Sequence, residues 1–182
     1  MICQSIINKS FAPNSFSYLE IGIGNKIQYN SVNTDRKICV DVNGNADYNK
    51  GSDDFFINYN GDKFDIIFID GDHSSDQTIK DYNNSIKHIN DNGFIFLHDL
   101  LPPDLNHCKP SLCGDSFQLL NYFVDNNYDY LTIPEDFGLT LIYNKFDRVG
   151  RIITTTYQEL INKKINLISV EDMVRFIVEK KI

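Results

Sequence analysis

Two apolar runs stand out in a chain of otherwise mixed character: Phe64-Asp65-Ile66-Ile67-Phe68-Ile69 and Phe94-Ile95-Phe96-Leu97. Each has the length of a strand and lacks the alternation of a half-exposed one, so both read as strands buried on two faces, as in the middle of a parallel sheet. Both finish in polar groups with ligand chemistry, Asp70-Gly71-Asp72-His73 after the first and His98-Asp99 after the second. If the two strands are neighbours, these groups share one rim. The C-terminal edge of an open α/β sheet is where ligands bind.

The remaining pattern is consistent with such a sheet. Residues 17–24 read as a strand running into the glycine turn Gly22-Ile23-Gly24, and 37–42 as a second strand after a brief crossover. Ser52 is expected to cap a short helix carrying Phe55 and Phe56. Ser74 or Ser75 should cap a longer one with Ile79, Tyr82, Ile86 and Ile89 at helical spacing, ended by Asn92-Gly93. Asp115-Ser116 is expected to cap a third, with Phe117, Leu119, Leu120 and Phe123. Residues 1–16 suggest one short helical turn, 43–50 a loop, and 100–114 a long loop that could cover the rim. Residues 128–133 and 139–143 read as a closing antiparallel pair, and 155–182 hold two helices. The expected fold is α/β: a mostly parallel sheet of about seven strands, the last antiparallel, with helices on both faces. Residues 1–150 are expected to form the domain and 151–182 a C-terminal helical extension packed on it.

Composition narrows the class of partner. The 182 residues are 42% hydrophobic and 23% charged, and 13 Phe with 10 Tyr and no Trp supply much of the core volume. The net charge is -8, and no block of Lys or Arg exceeds two residues, which argues against nucleic acid as the main partner. No apolar run approaches the ~18 residues of a membrane span, and 1–5 lack the basic start of a signal peptide, so the expected location is the cytoplasm. The four cysteines at 3, 39, 108 and 113 form no CxxC pair and suit reduced thiols; His107, Cys108 and Cys113 lack a fourth zinc ligand at useful spacing.

The second strand ends in Asp41, about twenty residues beyond Gly22, where a carboxylate can accept hydrogen bonds from both hydroxyls of a ribose. That pairing is the main nucleoside-binding signal. A dinucleotide would need GxGxxG, and Ile27 occupies the last glycine position, so a nicotinamide-dependent oxidoreductase ranks low.

Leu19-Glu20-Ile21-Gly22, Val40-Asp41, Ser52-Asp53-Asp54-Phe55-Phe56, Phe64 to His73, Leu97-His98-Asp99, Gly114-Asp115 and Asp136-Phe137-Gly138-Leu139 follow in a familiar order. Over residues 17–144 the chain resembles the small class I S-adenosylmethionine-dependent methyltransferases often encoded among sugar and surface-polysaccharide biosynthesis genes. The resemblance implies a Rossmann-like fold in which Glu20, Gly22 and Gly24 lie under the methionine part of the cofactor and Asp41 holds the ribose. Ser52 and Asp53 would lie near the adenine, and Asp70 would close the cofactor site. More distantly, the chain is similar to metal-dependent sugar O-methyltransferases, which implies Asp70 and Asp99 as ligands of Mg²⁺ or Mn²⁺, with His98 where another ligand commonly sits. Lys26 stands where members usually carry a further glycine, so this loop must make room for a side chain.

The implied chemistry is methyl transfer to an oxygen of a small molecule, a sugar, nucleotide-sugar or glycan precursor, with Asp72 as base and His73 second. Each assignment has a plainer counterpart: Asp72 capping the following helix, His73 bonded to a neighbouring backbone, Glu20 and Asp41 as strand-end charges. A non-catalytic nucleoside-binding module is the alternative reading for the whole chain.

Overall fold

The computed structural model describes residues 2–144, 146–150 and 154–181. Seven strands form one sheet in the order β3-β2-β1-β4-β5-β7-β6. They are β1 (Tyr18–Ile21), β2 (Lys37–Asp41), β3 (Tyr48–Asn49), β4 (Phe64–Ile69), β5 (Ile89–Leu97), β6 (Tyr130–Ile133) and β7 (Leu139–Ile142). The first five run parallel, and β7 is antiparallel to both its neighbours. The interleaved helices are α1 (Ile2–Ser10), α2 (Ile27–Ser31), α3 (Ser52–Asn58), α4 (Ser75–His88), α5 (Phe117–Asp125), α6 (Tyr157–Ile161) and α7 (Val170–Lys180).

Successive residues of a strand point to opposite faces, and here both faces are covered. Leu19, Ile21, Ile67, Ile69, Ile95 and Leu97 pack with Phe55, Tyr82, Leu119 and Phe123 of α3, α4 and α5. Tyr18, Ile66, Phe68, Phe94 and Phe96 pack with Ile6, Tyr29, Met173 and Ile177 of α1, α2 and α7. That is why the two central runs show no polar alternation. The polar Asp65 inside the first run sits at an irregularity: the N–H groups of both Asp65 and Ile66 donate to the Ser17 carbonyl, at 3.1 and 3.0 Å. Its carboxylate accepts from Ser17 N–H at 2.7 Å and from the Asn90 side chain at 2.7 Å, so the bulge is pinned on both sides.

Several boundaries differ from the sequence reading, each for a local reason. The N-terminal turn is a nine-residue helix, because Cys3, Ile6 and Ile7 present one face that α7 covers. Residues 43–50 are not wholly loop, since Tyr48 and Asn49 pair with β2. Gly51, not Ser52, occupies the α3 cap; the Ser52 hydroxyl accepts from the Gln77 side chain instead. Ser74 does cap α4, but that helix stops at His88 and Ile89 already pairs with Phe64 in β5. Ser116 does not cap α5, because its hydroxyl is spent on the Asp99 and Cys113 carbonyls, both at 2.8 Å. The Asp115 carboxylate accepts from the Ser75 N–H and hydroxyl, so it supports the start of α4 rather than of its own helix. The boundary expected between 150 and 151 abuts residues outside the described ones.

Candidate active site

Chain order along the sheet reverses between β1 and β4. A cleft of about 840 Å³ opens there, within the range of small-molecule sites. All eleven residues singled out from the sequence line it: Glu20, Gly22, Gly24, Asp41, Ser52, Asp53, Asp70, Asp72, His73, His98 and Asp99.

The glycine loop is shaped by close backbone approach. Gly22 has φ +81°, and a Cβ there would lie 2.1 Å from the Asp70 carbonyl oxygen, so β1 and β4 can converge only around a glycine. The Asp41 carboxylate accepts from the Ile23 N–H at 2.9 Å and from the Asn43 N–H at 2.8 Å, tying the loop after β1 to that after β2. Each oxygen keeps a second lone pair. Lys26 takes the left-handed conformation, φ 65°, that a glycine would favour; its ammonium donates to the Asn45 carbonyl, and the residue does not line the cleft. Room for the side chain is thus made outside the site.

Two carboxyl groups on the glycine-loop side of the cleft are buried. Glu20 is 1% exposed, accepts from the Tyr18 hydroxyl at 2.5 Å, and is pushed by burial from 4.5 up to about 8. Asp81, also 1% exposed, projects from α4 and is pushed by burial up to about 6. The Gln77 side-chain amide reaches Asp81 at 3.0 Å, Ser52 at 3.1 Å and Asp53 at 3.4 Å, linking α3 to α4 along one wall. The sequence reading missed Gln77 and Asp81. Asp81 falls beside Thr78, Tyr82 and Ser85 on the buried face of α4, and a carboxylate on such a face was the available signal.

At the other half stand Asp70, His73 and Asp99, whose ligand atoms all lie within 4.8 Å of one another. The His73 Nδ1 bonds the Leu112 carbonyl, which leaves Nε2 directed at Asp99 Oδ2, 3.3 Å, and Asp70 Oδ1, 3.7 Å. The nearby Asp70 carboxylate raises His73 to about 9 despite partial burial. Two carboxylates and one imidazole anchored through its second nitrogen fit a divalent cation. His98, expected among the ligands, stands behind them. Its Nδ1 is 3.0 Å from Asp99 and 3.2 Å from Asp70, and its Nε2 is 3.7 Å from Asp136. No oxygen lies in good hydrogen-bonding direction from either nitrogen, so charge rather than directed bonding holds the ring. Burial opposes its protonation, yet Asp136, Asp70 and Asp99 together outweigh that and raise it strongly. In return the His98 contact pulls Asp136 down to about 2. His73, not expected among the ligands, thus joins Asp70 and Asp99, while His98 lies against the same two carboxylates.

Asp72 does not cap α4, whose cap is Ser74. Its carboxylate accepts from the Ser74 N–H at 2.7 Å at the start of α4, and the Ser74 contacts hold it below the usual carboxylate range. Asp136 was not singled out as a site residue, although it precedes Phe137-Gly138 in a short polar link between two apolar strands. Phe137 also lines the cleft.

Residues 33–100 match the sequence model of a family described as a methyltransferase domain. No curated protein matches the chain in sequence. Among solved structures, the O-methyltransferase TomG from Streptomyces achromogenes, in complex with SAM, is 10% identical with a TM-score of 0.55, covering 79% of each chain. A spermidine synthase from Thermotoga maritima is 11% identical with a TM-score of 0.55, covering 98% of this chain and 74% of that one. MycE, a methyltransferase of the mycinamycin pathway in complex with Mg and SAH, is 14% identical with a TM-score of 0.50, covering 82% of this chain and 49% of that one. The fold is the Rossmann-like fold of the class I methyltransferases.

Proposed function

We propose that this protein transfers the methyl group of S-adenosylmethionine to a hydroxyl of a small acceptor, a sugar or glycan precursor. The observation that carries the reading is the division of one cleft at the topological switch point. A nucleoside-type half, formed by Gly22, Gly24 and Asp41, faces a charged cluster of Asp70, His73 and Asp99. The methyltransferase-domain match over residues 33–100 supports it, and TomG and MycE lend analogy for the donor.

S-adenosylmethionine brings an activated methyl on a sulfonium, so no covalent enzyme intermediate is needed and alignment is the main task. The converging turns at Gly22 and Asp70 fix where the two halves meet, and Asp41 braces the loop between them. A hydroxyl placed over the cluster can donate to an Asp70 or Asp99 oxygen, which raises its nucleophilicity. A divalent cation held by Asp70, His73 and Asp99 would lower the pKa of that hydroxyl. Asp72, tied to Ser74, is the weaker candidate for the base.

Calorimetric titration with S-adenosylhomocysteine tests the reading. Micromolar binding that is weakened by Asp41→Ala supports it; no binding by the parent protein overturns it.

A further inference from the structure

We propose that Phe137 is the platform on which the acceptor lies, and that the acceptor is an uncharged ring with hydroxyls on its edge and an otherwise apolar face. The inference rests on the methyltransferase reading above and specifies what occupies the half of the cleft opposite the nucleoside.

The link between β6 and β7 holds Asp136, Phe137 and Gly138 at φ 54°, 61° and 89°. A left-handed phenylalanine is uncommon and unfavourable by about 1–2 kcal/mol, so the surrounding structure must impose it. It does. Gly138 admits no side chain, since a Cβ would lie 2.2 Å from the Leu101 nitrogen. The Phe137 and Gly138 carbonyls accept from the Leu101 and Leu100 N–H groups, which clamps the turn to the segment directly after Asp99. The result is an aromatic ring set beside the charged cluster and left 41% exposed, the only exposed phenylalanine among the described residues.

One side of that ring is braced. The His107 ring lies 5.7 Å away at 37°, itself fixed by Asp104 at 2.8 Å, and the His98 ring meets it edge-on at 6.4 Å. Leu112, 43% exposed, supplies a second apolar surface in the cleft, and its carbonyl is the one that anchors His73. Apolar walls around a polar cluster suit a ring whose face is apolar and whose edge carries hydroxyls.

Charge narrows the ligand further. Lys50 is the only lysine or arginine among the described residues lining the cleft, and it stands next to Gly51 and Ser52 on the cofactor side. The acceptor half carries Asp70, Asp72 and Asp99 against two imidazoles and, among the described residues, no lysine or arginine. In the cation-free protein a phosphate or diphosphate on the acceptor would meet several carboxylates there and no lysine or arginine. A nucleotide-sugar is therefore disfavoured relative to an uncharged glycoside.

Phe137→Asn tests the platform, because asparagine tolerates the left-handed conformation while removing the ring; Phe137→Tyr keeps the ring. With S-adenosylhomocysteine saturating and divalent cations removed by chelation, each protein is titrated by ligand-observed NMR with methyl glucopyranoside, catechol and glucose 1-phosphate. The expected result is unchanged S-adenosylhomocysteine affinity in all three proteins and binding of at least one uncharged probe to the parent. That binding should be roughly tenfold weaker in Phe137→Asn, near parental in Phe137→Tyr, and absent for glucose 1-phosphate. Thermal melting of Phe137→Asn should be at or above that of the parent. Which uncharged probe binds tells a sugar from an aromatic diol. The proposal is overturned if Phe137→Asn holds the uncharged probes as well as the parent, if glucose 1-phosphate binds best, or if no uncharged probe binds the parent. Loss of S-adenosylhomocysteine binding in the parent would instead strike at the methyltransferase reading, and the platform would fall with it.

Discussion

Replacing Glu20 by glutamine should remove a large pH-dependent weakness of the fold. The carboxyl is 1% exposed on the face of β1 that looks toward α1 and α2, with the Tyr18 hydroxyl as its hydrogen-bond partner and Gln28 beyond, at 3.3 Å from that hydroxyl. Burial raises it from 4.5 to about 8; Asp70 adds to the rise, while Tyr18, Gln28 and Lys37 oppose it. Because the folded-state value lies above the unfolded one, the folded protein holds the proton more tightly. Stability therefore falls as pH rises from about 4.5 and levels off above about 8. A difference of that size corresponds to about 5 kcal/mol at most, against a typical total of about 5–15 kcal/mol. Water drawn toward the ionised group would reduce it.

Urea denaturation of parent and Glu20→Gln at pH 5, 7 and 9 reads this directly. Glutamine keeps the shape and an oxygen that can accept from Tyr18, so the two proteins should be nearly equal at pH 5. The variant should then gain by several kcal/mol by pH 9. Other raised groups, Asp81 among them, titrate in both proteins and cancel in the difference. Parallel stability curves across that range would refute the argument, since they would mean that Glu20 is ionised in the folded protein at neutral pH without penalty.

Gly22→Ala should cost about 3 kcal/mol or more by thermal or urea melting, because it combines a left-handed φ of +81° with a Cβ 2.1 Å from the Asp70 oxygen; a loss below about 1 kcal/mol would refute the close approach. Asp72→Ala should lower stability by about 1 kcal/mol and turnover by less than about tenfold. A ~100-fold fall in turnover with unchanged melting would make Asp72 the base after all. His73→Ala should weaken Mn²⁺ binding, followed by electron paramagnetic resonance, by about tenfold or more, with Asp72→Ala as the unaffected control. Equal affinity in the two variants would exclude His73 from the ion site.

The strand-end residues of the cleft were more legible in the sequence than those around His73, and the reason is geometric. Gly22, Gly24, Asp41 and Asp70 stand at or just beyond the ends of parallel strands, where a buried apolar run marks the strand and its first polar neighbours mark the rim. Position along the sequence then nearly determines position in space. The same logic placed His98 and Asp99 at the rim, but not that His73 would meet the same two carboxylates. Asp99 has φ 63°, which turns the chain sharply after β5, and His73 is aimed by the Leu112 carbonyl, 39 residues away in the chain. No local pattern carries that second bond. Ser52, Ser116 and Asp115 show a related limit: each is a residue type that caps helices, and each is spent on a group from another element.

Phe137 sets the sharpest contrast between local preference and tertiary demand. Its sequence context, Pro134-Glu135-Asp136-Phe137-Gly138, reads as a turn joining two strands, and a large apolar residue in a turn ordinarily folds back into the core. Here the neighbouring core positions are already filled by Ile133, Leu139 and Leu141, all fully buried. The Leu100 and Leu101 amides hold the turn left-handed, and the ring lines the cleft. A sequence under selection for stability alone would carry asparagine or glycine at such a φ. Phenylalanine there weakens the turn and exposes apolar surface, a combination that the fold itself does not require and that an acceptor stacked on the ring would.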